Sequence, residues 1–111
     1  MLIAVAASTT LEGHAFLKRA EPAVGSTIQS PPGQVRIWFS EKIEPTLSSV
    51  QVFDGSGREV DNHDGRLDRS RQESLRVSLP PLQAGTYKVV WRVVSVDSHV
   101  TKGSFMFRVA R

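Results

Sequence analysis

Two residues near the C-terminus, Asp97 and His99, have side chains that could bind the same ion. They lie in the run Val-Asp-Ser-His. In extended backbone, residues two apart point to the same side of the chain. The carboxylate and the imidazole could then reach the same ion, and both groups bind divalent transition metals. An ordinary surface ion pair has the same spacing. The pair therefore predicts a possible metal site without excluding the simpler interpretation.

A metal site needs further ligands, and two other histidines are candidates for the third one. His14 directly precedes the apolar run Ala15-Phe16-Leu17, and His63 lies in the polar stretch 61–73. We predict that this polar stretch is an exposed loop, because it is rich in charged residues and contains an Asp-Gly turn signal. Spacing alone does not decide between the two histidines.

The strands that must position Asp97 and His99 are visible on both sides of them. Apolar residues alternate with polar ones before the pair and again after it, which is the period-2 pattern of a strand packed on a core. The inward-facing residues predicted in this way are Tyr87, Val89, Trp91, Val93, Phe105, Phe107 and Val109. The pair therefore belongs to the connection between two long strands.

The rest of the chain shows the same short alternating segments. They cover residues 35–39, 49–53 and 75–79, separated by turn signals such as Asp54-Gly55 and Pro80-Pro81. No segment has an apolar stripe at helical spacing. We predict an all-β fold, a single Greek-key β-sandwich of about seven strands, immunoglobulin-like or cupredoxin-like.

Length and composition limit the possible functions. A chain of 111 residues with a net charge of +3 and no cysteine allows one modest core and excludes disulfides and thiolate metal sites. The basic residues are spread among acidic ones, so we predict no nucleic-acid binding. The apolar run at residues 2–7 is too short to span a bilayer. We interpret residues 1–13 as a leader or residual signal segment and residues 14–111 as the folded domain.

Several spaced motifs together resemble the CopC family of copper-resistance proteins. They are residues 14–17 (His-Ala-Phe-Leu), 21–26 (Glu-Pro-Ala-Val-Gly-Ser), 35–41 (ending Phe-Ser-Glu) and 85–99 (ending Asp-Ser-His). They occur in the family's order and span nearly the whole chain after the leader. This resemblance is far more specific than the Asp-x-His pair alone.

The resemblance implies a periplasmic or otherwise exported copper-binding protein that holds one Cu(II) as a carrier or buffer. It implies that His14, Asp97 and His99 are the ligands, with His14 also supplying its α-amine when it is the first residue of the mature chain. Glu41 would lie just outside the ligands. The resemblance also implies a partner, a CopD-type inner-membrane copper transporter, while the chain itself would not span the membrane. Some relatives bind Cu(I) through a methionine-rich loop, but residues 53–64 contain no methionine here.

Two other functions remain open at this point. The first is an oxidative enzyme with a histidine-brace copper site, although the small chain shows no aromatic platform for a polymeric substrate. The second is an immunoglobulin-like interaction module in which Asp97 and His99 are only a surface pair. We expect copper binding without catalysis.

Overall fold

The computed structural model describes residues 16–68 and 71–110, and their secondary structure consists of β-strands and a single 3-10 turn. The predicted all-β fold is confirmed, with eight strands, one of which has only two residues. The strands are β1 (Leu17–Glu21), β2 (Thr27–Ile28), β3 (Gln34–Phe39), β4 (Ser49–Phe53), β5 (Arg66–Asp68), β6 (Arg71–Ser78), β7 (Gly85–Val94) and β8 (Val100–Val109). The 3-10 turn, Pro45–Leu47, precedes β4.

The strands form two four-stranded sheets with a common core. One sheet has the order β1-β3-β6-β5 and the other has the order β2-β8-β7-β4. The pairings are antiparallel except between β2 and β8, which run parallel. Buried apolar residues from both sheets form one cluster, which makes the fold a sandwich.

The core follows the alternation in the sequence. Every residue predicted to face inward on β7 and β8 is buried, and so are the inward residues Val35, Ile37 and Phe39 of β3. Aromatic rings fill much of the space: Trp91 meets Phe39 edge-on, with ring centroids 5.2 Å apart. The agreement arises because only one face of each sheet packs against the core, so alternate residues of each strand are buried.

The prediction of a continuous exposed loop over residues 61–73 is wrong in part. Asp61 is buried, and β5 and the first residues of β6 lie within this stretch. The two strands pair in the register Arg66↔Arg76 and Leu67↔Leu75, and β6 also pairs with β3. Backbone hydrogen bonds can extend a sheet or a strand without an apolar side-chain pattern, which is why the sequence did not reveal β5 or the first residues of β6.

The connection between β7 and β8 lies at one end of the sandwich, beside the segment that follows β3. Glu44 N–H donates to the carbonyl of Val94 at 2.7 Å, and Val96 N–H donates to the carbonyl of Lys42 at 3.1 Å. Ile43, which is fully buried, forms a β-bridge with Ser95. No helix within residues 16–68 and 71–110 is long and apolar enough to cross a membrane.

Candidate metal centre

Asp97 and His99 lie on a tight turn rather than on extended backbone. Ser95 N–H donates to the carbonyl of His99 at 2.9 Å, and Ser98 N–H donates to the carbonyl of Ser95 at 2.8 Å. Ser98 has a positive φ of 75°, which is uncommon for a residue with a Cβ. The two side chains therefore converge as expected from the sequence, but a turn brings them together and not the period of a strand.

The convergence is close. Nδ1 of His99 lies 3.3 Å from Oδ1 of Asp97, and the two side chains are 51% and 43% exposed, respectively. Metal–ligand bonds of about 2.0–2.1 Å place two neighbouring ligand atoms roughly 2.9–3.4 Å apart, depending on coordination geometry. The separation of the two donor atoms is therefore compatible with one shared ion, and both side chains face solvent, from which an ion can enter.

Ser95 supports both candidate ligands from beneath the turn. Its side chain is fully buried, and its hydroxyl donates a hydrogen bond to Oδ1 of Asp97. The same hydroxyl oxygen accepts a hydrogen bond from His99 N–H at 3.3 Å. Ser95 was not predicted from the sequence, where its only available signal is its position two residues before Asp97.

The hydrogen bond from Ser95 is the largest cause of a pKa of Asp97 below its ordinary value. Partial desolvation opposes this shift, and the neighbouring His99 adds to it. A lowered pKa keeps the carboxyl group ionised to more acidic pH. An ionised carboxylate is the form that can bind a metal, so the turn keeps Asp97 in that form over a wider pH range.

Glu41 and the first described residue lie at this same end of the fold. Glu41 is partly buried and directly precedes Lys42, whose carbonyl accepts the hydrogen bond from Val96. Phe16 and Ser40 are joined by two hydrogen bonds of 2.8 Å, one from each backbone N–H. The N-terminal end of the described chain is therefore fixed beside the segment that packs against the Asp97 turn.

His14 lies outside the described residues, as does the predicted leader 1–13. Its role as a ligand stays a prediction.

His63, the alternative third ligand, lies in a different region. Its neighbour Asp61 accepts a hydrogen bond from Val52 N–H, and Val52 pairs with Val89 on β7. Val89 is about five residues from Val94 at the end of β7, a distance of roughly 16 Å at about 3.3 Å per residue. His63 instead groups with Glu59 and Asp61. The structure therefore does not bring His63 together with Asp97 and His99.

Comparison with known proteins agrees with this arrangement of strands and turn. The family model described as the CopC domain matches residues 17–110. The chain belongs to the CopC family. This confirms the resemblance seen in the sequence motifs.

Individual relatives are similar over most of the chain. Protein YobA of Escherichia coli K12 is 33% identical over 97 residues, covering 86% of this chain and 78% of YobA. Copper resistance protein C of Xanthomonas campestris pv. juglandis is 31% identical, covering 98% of this chain and 90% of that protein. The crystal structure of CopC from Methylosinus trichosporium OB3b superposes with a TM-score of 0.82 at 30% identity, covering 87% of this chain and 94% of that one. The CopC fold thus extends over the whole described sandwich.

Proposed function

We propose that this chain binds one Cu(II) ion at the turn between β7 and β8, with Asp97, His99 and His14 as ligands. The observation that carries the proposal is the 3.3 Å approach of His99 Nδ1 and Asp97 Oδ1 on an exposed turn. Membership of the CopC family and the name of the Xanthomonas relative support copper as the metal.

The donor atoms suit Cu(II). Imidazole nitrogens, an amine and a carboxylate in a roughly square arrangement fit the geometry that Cu(II) prefers, and Cu(II) binds such sites more tightly than other divalent first-row metals. A buried hydroxyl that fixes a ligating carboxylate, as Ser95 does for Asp97, is a typical supporting contact around a metal. We place Glu41 in a similar supporting role, through a hydrogen bond to a ligand or to the amine.

The proposed role is to carry or buffer copper outside the cytoplasm, and it includes delivery to a CopD-type membrane transporter. An exposed, single-turn site suits exchange of an ion with a partner. The role is binding and not catalysis: oxidation of a polysaccharide by the copper-loaded chain in the presence of a reductant would contradict it.

A competition titration with a chromophoric Cu(II) chelator tests the site. Asp97→Asn and His99→Ala should each weaken the tightest Cu(II) binding by about tenfold or more, since loss of a ligand should cost at least as much as loss of an outer contact. Both residues are exposed at a turn, so the thermal midpoint without metal should change little.

His63→Ala is the matched control, because it removes an exposed histidine at a distance from the turn. It should leave the tightest Cu(II) affinity unchanged. Equal affinity in wild type, Asp97→Asn and His99→Ala would exclude this turn as the copper site. A loss of affinity in His63→Ala would instead make His63 a ligand.

A further inference from the structure

A second group of metal-ligand side chains lies away from the Asp97 turn, at Glu59, Asp61 and His63. Nδ1 of His63 is 3.3 Å from Oε2 of Glu59 and 3.7 Å from Oδ1 of Asp61. One donor atom from each residue lies within 4.8 Å of the other two. The three donors therefore form a small triangle.

The triangle is held by the backbone around it. The side chain of Asp61 is only 1% exposed, and its Oδ2 accepts a hydrogen bond from Val52 N–H at 2.8 Å. Its Oδ1 accepts from His63 N–H at 2.9 Å. The backbone of Glu59 is fixed by a β-bridge to Phe53. The ligand triangle therefore needs little rearrangement to receive an ion.

The two carboxylates of the cluster also favour a cation. Buried carboxylates in proteins are paired with a cation or coordinate a metal. The nearest arginine in sequence, Arg58, faces Asp54 at 3.6 Å instead of the cluster. The imidazole of His63 is 70% exposed, so the open side of the triangle faces water.

From this geometry we propose a second cation site, formed by Glu59, Asp61 and His63, for one Zn(II) or Cu(II) ion. Bonds of about 2.0–2.2 Å in a tetrahedral arrangement separate neighbouring ligand atoms by roughly 3.3–3.6 Å, close to the two distances from His63 Nδ1. The exposed side leaves a fourth position for water or for a ligand from a partner.

The ligand set excludes harder ions as the preferred occupants. Calcium takes six to eight oxygen ligands and magnesium demands six in octahedral geometry, whereas this cluster offers one nitrogen and two carboxylates. The cluster has a single nitrogen donor, fewer than the proposed copper site. We therefore expect Cu(II) to fill the Asp97 turn first and the second site to be accessible to Zn(II).

Zinc titration of the full chain carrying Asp97→Asn and His99→Ala tests the second site without the first. Isothermal calorimetry near neutral pH should still detect zinc binding in this background. Adding His63→Ala or Glu59→Gln should weaken that binding by about tenfold or more. Adding Asp54→Asn, which changes a nearby carboxylate outside the triangle, should leave it unchanged.

A second readout separates a metal site from an ion pair. Zinc should shift the ring signals of His63 in an NMR titration and should leave the amide spectrum of the core strands in place. If zinc affinity is the same with and without His63→Ala and Glu59→Gln, the three residues form only an ion-pair cluster, and the proposal is wrong. The copper proposal is unaffected by that outcome, because it rests on different residues.

Discussion

Replacing Gly103 with alanine tests the packing that holds the β7–β8 hairpin under the turn that carries Asp97 and His99. Gly103 lies opposite Trp91 in the register of the two strands. A Cβ at position 103 would lie 2.5 Å from Cζ2 and 2.9 Å from Cε2 of the indole. The ring is 6% exposed and packs edge-on against Phe39, so it has little room to move away.

The expected cost follows from this contact. Adding a methyl group to a filled core typically destabilises a protein by about 1–3 kcal/mol. For a domain of this size each kcal/mol lowers the thermal midpoint by roughly 4–8 °C. Trp91→Ala alone should cost about 3–5 kcal/mol, because it removes a large buried ring.

The double variant distinguishes a specific contact from a general strand effect. When Gly103→Ala is combined with Trp91→Ala, the added methyl group meets no ring and occupies part of the vacated space. Chemical denaturation of wild type, both single variants and the double variant should give a coupling of about 1–3 kcal/mol, with the double variant more stable than the sum predicts.

Gly33→Ala is the control for the glycine substitution itself. A Cβ at Gly33 would meet no atom within 4 Å, and its φ lies outside the left-handed region. The Gly33→Ala substitution should be neutral or stabilise the fold by up to about 1 kcal/mol, because alanine lowers the conformational entropy of the unfolded chain. If Gly103→Ala behaves like Gly33→Ala, or if its cost adds to that of Trp91→Ala within about 0.5 kcal/mol, the indole does not lie over Gly103.

Two further predictions concern the proposed copper site. Ser95→Ala should raise the pKa of Asp97 toward its ordinary value, which NMR titration of the carboxyl carbon would measure; an unchanged midpoint would mean that the hydroxyl is not the cause. The lowered pKa of Asp97 stabilises the folded state at pH values above the pKa of this group in the unfolded chain. This stabilisation is lost as the pH falls through the pKa of Asp97 in the folded chain. The Ser95→Ala variant should therefore lose less stability than wild type when the solution is acidified through that range. A chain beginning at His14 should bind Cu(II) more tightly than the full chain, with affinity rising through the pKa of an α-amine near 8, where copper displaces its proton. If the two forms have equal Cu(II) affinities at each of two pH values, the α-amine is not a ligand.

The sequence alone determined which faces of the long strands enter the core. Val89 and Phe107 are buried, as the alternation of apolar residues predicts. Successive side chains of a strand point to opposite faces of the sheet, and only one face packs against the core. The same alternation located Asp97 and His99 in the connection between these strands. The motif order, which depends on local sequence only, identified the family.

Tertiary structure decided how Asp97 and His99, the candidate ligands, are held and what else lies near them. Ser95 supports Asp97 within a turn that also packs against the segment after β3, and contacts of this turn with a distant segment leave no periodic signal in the sequence. Asp61 is buried in a polar stretch because Val52 N–H, nine residues away, needs an acceptor. Burial of a charged residue depends on its partners across the fold, and those partners are set by packing rather than by local residue pattern.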